Sequence, residues 1–241
     1  MGDRVTAGSR TRSGSGASGR APRSRRRLSV DERRDELIAA ALQLFSSRSP
    51  DEISIDDVAA TAGASRALVY HYFGGKQELY IAALGSAARQ LSELLEPPTE
   101  GSPLDRLRLS LERYFDFVER HAAGFTALLR GGPANRSGEI GEIVDGIRKL
   151  LLRRILHALD IESAPPILRI TLRSWLASVE TAGLDWLENR DIDRAQLEHV
   201  LVDQCVVMLD VAGHHEPAVA ALFQRLAREE EIAGGAEPAP A

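Results

Sequence analysis

From Ser29 onward, apolar residues recur three and four positions apart in almost every segment, and no stretch alternates apolar and polar residues for long enough to make a strand. The pattern predicts an all-α chain. Ser29 and Glu32 have the spacing of a capping box, and Leu37, Ala41, Leu44 and Phe45 then form one apolar stripe that breaks at Ser46 to Pro50. Ser54 and Asp57 repeat the box with Asp in place of Glu. Val58, Ala59 and Ala62 follow on one face, and Gly63 marks the stop. Ser65 can cap a third helix, Arg66 to about Phe73. Gly74-Gly75 ends it, and a long helix follows from Lys76 to about Glu96, before Pro97-Pro98. Further helices are expected at 103–121, 122–130, 138–160, from Pro166 to about Asn189, at 193–212 and at 216–231, with a loop at Gly131, Gly132 and Pro133.

The ends differ from this body. Residues 1–28 carry eight arginines (Arg4, Arg10, Arg12, Arg20, Arg23, Arg25, Arg26, Arg27) against one acid, Asp3, although the whole 241-residue chain is net −5. The segment has almost no large apolar side chain, so ordering it would not be offset by burial, and it is expected to be a disordered arm. A basic arm on an acidic body suits a polyanionic partner; a solvated linker fits it as well. The expected division is therefore an arm at 1–28, a helix-turn-helix unit at 29–80, a helical unit at 81–232 and a disordered tail at 233–241. The lone Cys205 allows no intramolecular disulfide, and no apolar run approaches the ~20 residues that span a bilayer. A cytoplasmic protein with no membrane partner is expected.

Residues 54–73 read as two short helices about the turn Ala62-Gly63-Ala64-Ser65, a helix-turn-helix pattern. In projection Val69 and Phe73 share one face of the second helix, while Arg66, Ala67, Tyr70 and His71 share the other. A guanidinium can pair with the O6 and N7 of guanine, a small methyl can sit against a thymine methyl, and phenol or imidazole can reach phosphates. Lys76 opens the next helix, where its ammonium and the free N–H groups of the first turn form a phosphate site. Asp56, near the same surface, is unfavourable beside DNA unless it pairs with a cytosine amino group or another side chain.

The run Ala62-Gly63-Ala64-Ser65-Arg66-Ala67-Leu68-Val69-Tyr70-His71-Tyr72-Phe73-Gly74-Gly75-Lys76-Gln77-Glu78-Leu79 resembles the DNA-binding signature of the tetracycline-repressor (TetR) family, with Tyr72 where His is usual. The likeness covers roughly residues 30–84. It implies a ligand-responsive regulator that binds an inverted-repeat operator in double-stranded DNA as a homodimer; a repressor is expected, although operator binding serves activation equally. By the resemblance Ser54, Tyr70, Tyr72 and Lys76 match phosphate-contacting positions, Ser65, Arg66 and Ala67 match the base-reading start of the recognition helix, and His71 is a further contact. Residues 29–80 hold five basic side chains (Arg33, Arg34, Arg48, Arg66, Lys76) against nine acids, so binding rests on a few focused contacts and on the arm if it takes part.

The helices at about 166–189 and 193–212 are apolar on more than one side, which means burial in the monomer or pairing with a second copy; the resemblance implies the second. Tyr114, Phe115, Phe117, Val118, Phe125, Leu128, Leu129, Ile143, Ile147, Leu151, Trp175 and Val179 either line a cavity or fill a core. Arg173, Ser178 and Glu180 either orient a ligand, face solvent or make interface pairs. An unidentified small-molecule effector, apolar or amphipathic, is the expected ligand, and the resemblance implies that it acts by shifting the helix from Lys76.

No phosphate-binding loop, dinucleotide fingerprint or nucleophile elbow is present, and the histidines at 121, 157, 199, 214 and 215 and Cys205 have no metal-ligand spacing. No catalytic residue, cofactor or metal is expected. A helical small-molecule-binding or adaptor protein without DNA binding is the alternative, and an enzyme the remoter one. Arg66, Tyr70 and Lys76 together argue against the first.

Overall fold

The computed structural model describes residues 29–130 and 138–235. Among them are ten α-helices, one short 3-10 turn (Pro50–Glu52) and no strand. In chain order the helices are α1 (Val30–Ser47), α2 (Ile55–Thr61), α3 (Arg66–Phe73), α4 (Lys76–Leu94), α5 (Pro103–Arg120), α6 (Ala122–Arg130), α7 (Gly138–Ala158), α8 (Pro166–Asn189), α9 (Arg194–Gly213) and α10 (Pro217–Gly235). The all-α expectation holds. The basic arm at 1–28, the Gly131-Gly132-Pro133 loop and residues 236–241 lie outside the described residues. Residues 233–235, expected in the tail, continue α10.

Local chemistry sets the helix starts. Ser29–Glu32, Ser54–Asp57 and Ser102–Asp105 all form closed capping boxes, each satisfying two N–H groups left over at a helix start. Gly63 and Gly74 take φ of +59° and +62°, the left-handed conformation that lets α2 and α3 end abruptly without a Cβ clash.

The apolar residues form two cores. In the first, Leu37, Ala41 and Phe45 of α1 meet Val58, Val69, Phe73, Leu79 and Ala83, with Ile53 and Ile55 also buried. The second gathers Leu111, Phe115 and Val118 of α5, Leu172, Trp175, Val179 and Trp186 of α8, and Leu197, Leu201 and Leu209 of α9. Helix α4 belongs to both, through Leu79, Tyr80 and Ala83 at one end and Leu91 at the other. The boundary expected at residue 80 thus falls inside a continuous helix, which packs on α1 and α7. One continuous stretch of backbone thus links the packing beside α3 to the second core.

Candidate nucleic-acid interface and internal cavity

Helix α3 divides as its sequence projects. Val69 and Phe73 are buried, while Ser65, Arg66, Ala67, Tyr70 and His71 are exposed. Ser65 accepts the Leu68 N–H through its hydroxyl at 3.2 Å, capping the helix at its exposed start. The Arg34 guanidinium lies 5.2 Å from the Phe73 ring centre, closing the inner side with a cation over an aromatic face.

The polar groups of the outer face interact. Arg66 donates to Asp56 at 2.8 Å and lies 3.5 Å from the Tyr70 hydroxyl, with the Tyr70 ring 5.5 Å away. The hydrogen bond to Tyr70, followed by the charge of Asp56, raises the Arg66 pKa further. Asp56, unfavourable by itself near a polyanion, is thus paired with the side chain expected to read bases. Ser54 is exposed at the start of α2, but its hydroxyl is engaged with the Asp57 carboxylate at 2.6 Å. Those bonds from Ser54 lower the Asp57 pKa. Tyr72 is half-buried against the first core, with its ring 5.4 Å from that of His71. Lys76 reaches back to the Asp51 carbonyl at 3.4 Å, and the preceding Gly75 offers no side-chain cap, so the first N–H groups of α4 stay available.

The second feature is a cavity of about 630 Å³ with an almost wholly apolar wall. Tyr114, Phe125, Leu129, Ile147, Leu151, Trp175 and Val179 line it, as do Phe117, Leu128 and Ile143. Phe115 and Val118 do not: both are fully buried in the second core. The reason for Phe115 is packing on the α8 side of α5, where its ring meets Trp186 edge-on at 5.9 Å and lies against Gly183. Glu180 is on the wall; Arg173 and Ser178 are not. The wall also takes in residues that helical periodicity does not mark as lining a cavity: Leu42, Phe45 and Ser46 of α1, Tyr80 and Ala83 of α4, and Phe223, Leu226 and Glu230 of α10. Long-range pairing, which helical periodicity does not encode, brings these together.

Little polar surface faces this cavity, and most of its polar groups are engaged elsewhere. The Trp175 indole N–H is spent on the Leu201 carbonyl at 2.9 Å. The Tyr80 and Tyr114 hydroxyls are buried without a protein partner. Burial, then the charge of Asp51, pushes the Tyr80 pKa up to about 12, and burial, then Glu180, pushes that of Tyr114 higher still, so both stay protonated. Cys205 is buried there too, its thiol pushed up to about 12 by burial, as suits a small apolar group. His121, which closes α5, places Nδ1 2.6 Å from the Ser46 hydroxyl of α1, joining cavity wall to DNA-side domain. Beside it α6 comes so close to α1 that a Cβ on Gly124 would stand 2.9 Å from the Phe45 carbonyl oxygen. Among the described residues no cluster of His, Cys, Asp and Glu could hold a metal ion, and no helix is long and apolar enough to cross a membrane.

The fold and this surface define a helix-turn-helix unit joined by one shared helix to a helical domain with an internal cavity. The chain belongs to the TetR family of transcriptional regulators. The family profile "Bacterial regulatory proteins, tetR family" matches residues 37–83, and "Tetracyclin repressor-like, C-terminal domain" matches residues 103–208. A tetR-family transcriptional regulator from Streptomyces coelicolor shares 44% identity, with a TM-score of 0.80 over 84% of this chain and 91% of that one. The transcriptional activator FasR of Mycolicibacterium smegmatis is 35% identical over 103 residues, 41% of this chain and 46% of FasR. The chain spans about half the length of such curated relatives, 46% to 61%. The regulator FadR of Bacillus subtilis, solved with stearoyl-CoA, is 16% identical with a TM-score of 0.56 and shares the fold alone.

Proposed function

We propose that this protein is a homodimeric repressor whose α3 helices enter successive major grooves of an inverted-repeat operator and whose affinity for that operator falls when a small molecule occupies the cavity. One observation carries the reading: α3 is anchored by Val69 and Phe73 and presents Arg66, Ala67, Tyr70 and His71 outward together. In this arrangement Arg66 and Ala67 read base edges, and Tyr70, His71, Tyr72, Ser54 and Lys76 with the open start of α4 hold phosphates. Because α4 belongs to both cores, ligand in the cavity and DNA on α3 oppose each other through one helix, and by linkage each weakens the other equally.

The dimer reading rests on exposed apolar surface. Val200, Val207 and Val211 line one side of α9, all at least half exposed, and α8 exposes Ile170 followed by the small residues Ser174, Ala177 and Thr181 on one side. Branched apolar side chains facing a small-residue stripe suit close helix packing in a four-helix bundle with a second copy.

The test is selection of duplexes from a random pool by the full chain at low ionic strength. Enrichment of an inverted repeat with a fixed half-site spacing supports the reading. Recovery of unenriched sequences, or no retained DNA, refutes it.

A further inference from the structure

The charges on the cavity wall are arranged in a way that narrows what it can hold. Glu180 is gripped by Arg148 at 3.0 and 2.6 Å. Arg154 donates to the Ser92 carbonyl and, at 3.2 Å, to Glu96, while Arg106 faces Glu229 at 3.8 Å. Glu230 accepts from the Ser102 hydroxyl at 2.8 Å and the Leu104 N–H at 3.0 Å, and the remaining wall acid, Glu231, is exposed. Among the described residues, therefore, each arginine on the wall already has a carboxylate partner. An anionic head group entering here gives up its hydration without gaining an uncommitted cation, a loss that a neutral group of the same size avoids.

Three wall groups are uncommitted: the Tyr80 and Tyr114 hydroxyls, which can donate or accept and so do not discriminate, and a histidine nitrogen that can only accept. The Ser46 hydroxyl lies 2.7 Å from the Leu42 carbonyl and 2.6 Å from His121 Nδ1. A carbonyl oxygen only accepts, so the single hydroxyl proton goes to Leu42, and Nδ1 must supply the proton of the second bond. That leaves His121 Nε2 as a bare acceptor, with no protein partner among the described residues. Burial, followed by the charge of Arg120, keeps the ring neutral.

We propose that the cavity binds an uncharged, largely apolar molecule carrying a hydroxyl group, which donates its proton to His121 Nε2. The proposal rests on the reading of the cavity as the effector site. Because His121 also holds Ser46 of α1, a ligand anchored there acts on the DNA-side domain at the contact beside Phe45 and Gly124.

The test uses the full chain with the neutral fluorophore N-phenyl-1-naphthylamine bound, displaced by matched twelve-carbon probes: 1-dodecanol, 2-dodecanone and dodecanoate. The alcohol should displace at about tenfold lower concentration than the ketone or the carboxylate, the size of one hydrogen bond in an apolar site. In His121→Phe the fluorophore should still bind, and the preference for alcohol over ketone should vanish. Displacement by dodecanoate as strong as by the alcohol, or a preference that survives in His121→Phe, overturns the proposal and leaves the effector site standing. Failure of the fluorophore and all three probes to bind removes the effector site and the proposal together.

Discussion

The guanidinium of Arg66 and the carboxylate of Asp56 meet at 2.8 Å on the exposed side of the helix-turn-helix, one from the first residue of α3 and one from the first turn of α2. Both side chains are more than half exposed, so the pair adds little to stability. On the proposed reading its effect is on recognition: the acid orients the guanidinium and offsets its charge until DNA competes for it.

Asp56→Asn should therefore strengthen binding to duplex of any sequence while narrowing the gap between operator and scrambled DNA. Arg66→Ala should relax selectivity at a single base pair by about ten- to a hundredfold, with other positions unchanged. Fluorescence anisotropy on the selected operator, its single-base variants and a scrambled duplex measures both. If Asp56→Asn leaves both affinities unaltered, the carboxylate does not face the DNA.

Gly124→Ala tests the joint between the two domains. An alanine gains about 1 kcal/mol of helix propensity over glycine, which alone would stabilise α6. Its Cβ, however, would stand 2.9 Å from the Phe45 carbonyl oxygen, and backbone cannot yield as a flexible side chain does. A net loss of about 1–3 kcal/mol is expected from overpacking, read as a lower urea midpoint. A midpoint equal to that of the unchanged protein would mean that α6 slides freely on α1.

The pH dependence follows from His121. Burial first, and Arg120 second, lower its pKa in the folded chain below the 6.5 of an exposed imidazole. Between those two values the unfolded chain holds the proton and the folded chain does not, so stability falls as pH drops through the window. Above it both forms are neutral and the residue contributes no slope. His121→Gln should thus shrink the drop in Tm between about pH 7 and about pH 5. An identical drop in the variant would show that the acid sensitivity lies in other groups.

How much of this was legible in the sequence depends on the distance over which each feature is encoded. Helix α3 was readable to the residue because its determinants are local: Gly63 and Gly74 at the ends, Ser65 as cap, and Val69 and Phe73 one turn apart. The cavity was half legible. Periodicity put Phe115 and Val118 on the same broad apolar side of α5 as Tyr114, but not which neighbour covers each part of that side, and both proved to be packed core. The Ser46–His121 contact joins residues 75 positions apart, and neither carries a local signal of the other. Asp56 stands between these cases: its awkward charge marked it for a partner, and the turn between α2 and α3 supplied Arg66.

The outer side of α9 supports the last prediction, which separates assembly from folding. Val207 is 60% exposed, whereas Leu209, two residues on, is 7% exposed within the second core. Replacing Val207 by Glu removes almost no packing inside one copy, so helicity and the Tm of the isolated chain should change little. In a two-copy bundle the same side chain meets its counterpart or the partner's apolar stripe, and an unpaired carboxylate there is desolvated without compensation. Sedimentation velocity should therefore show a monomer for Val207→Glu at concentrations where the unchanged protein is dimeric. Binding to a single half-site should persist while the tight binding to the inverted repeat is lost, because joining two half-sites requires the second copy. A Val207→Glu protein that remains dimeric would move the interface off this side of α9. One that dimerises normally yet loses half-site binding would mean that α9 influences α3 within a single copy.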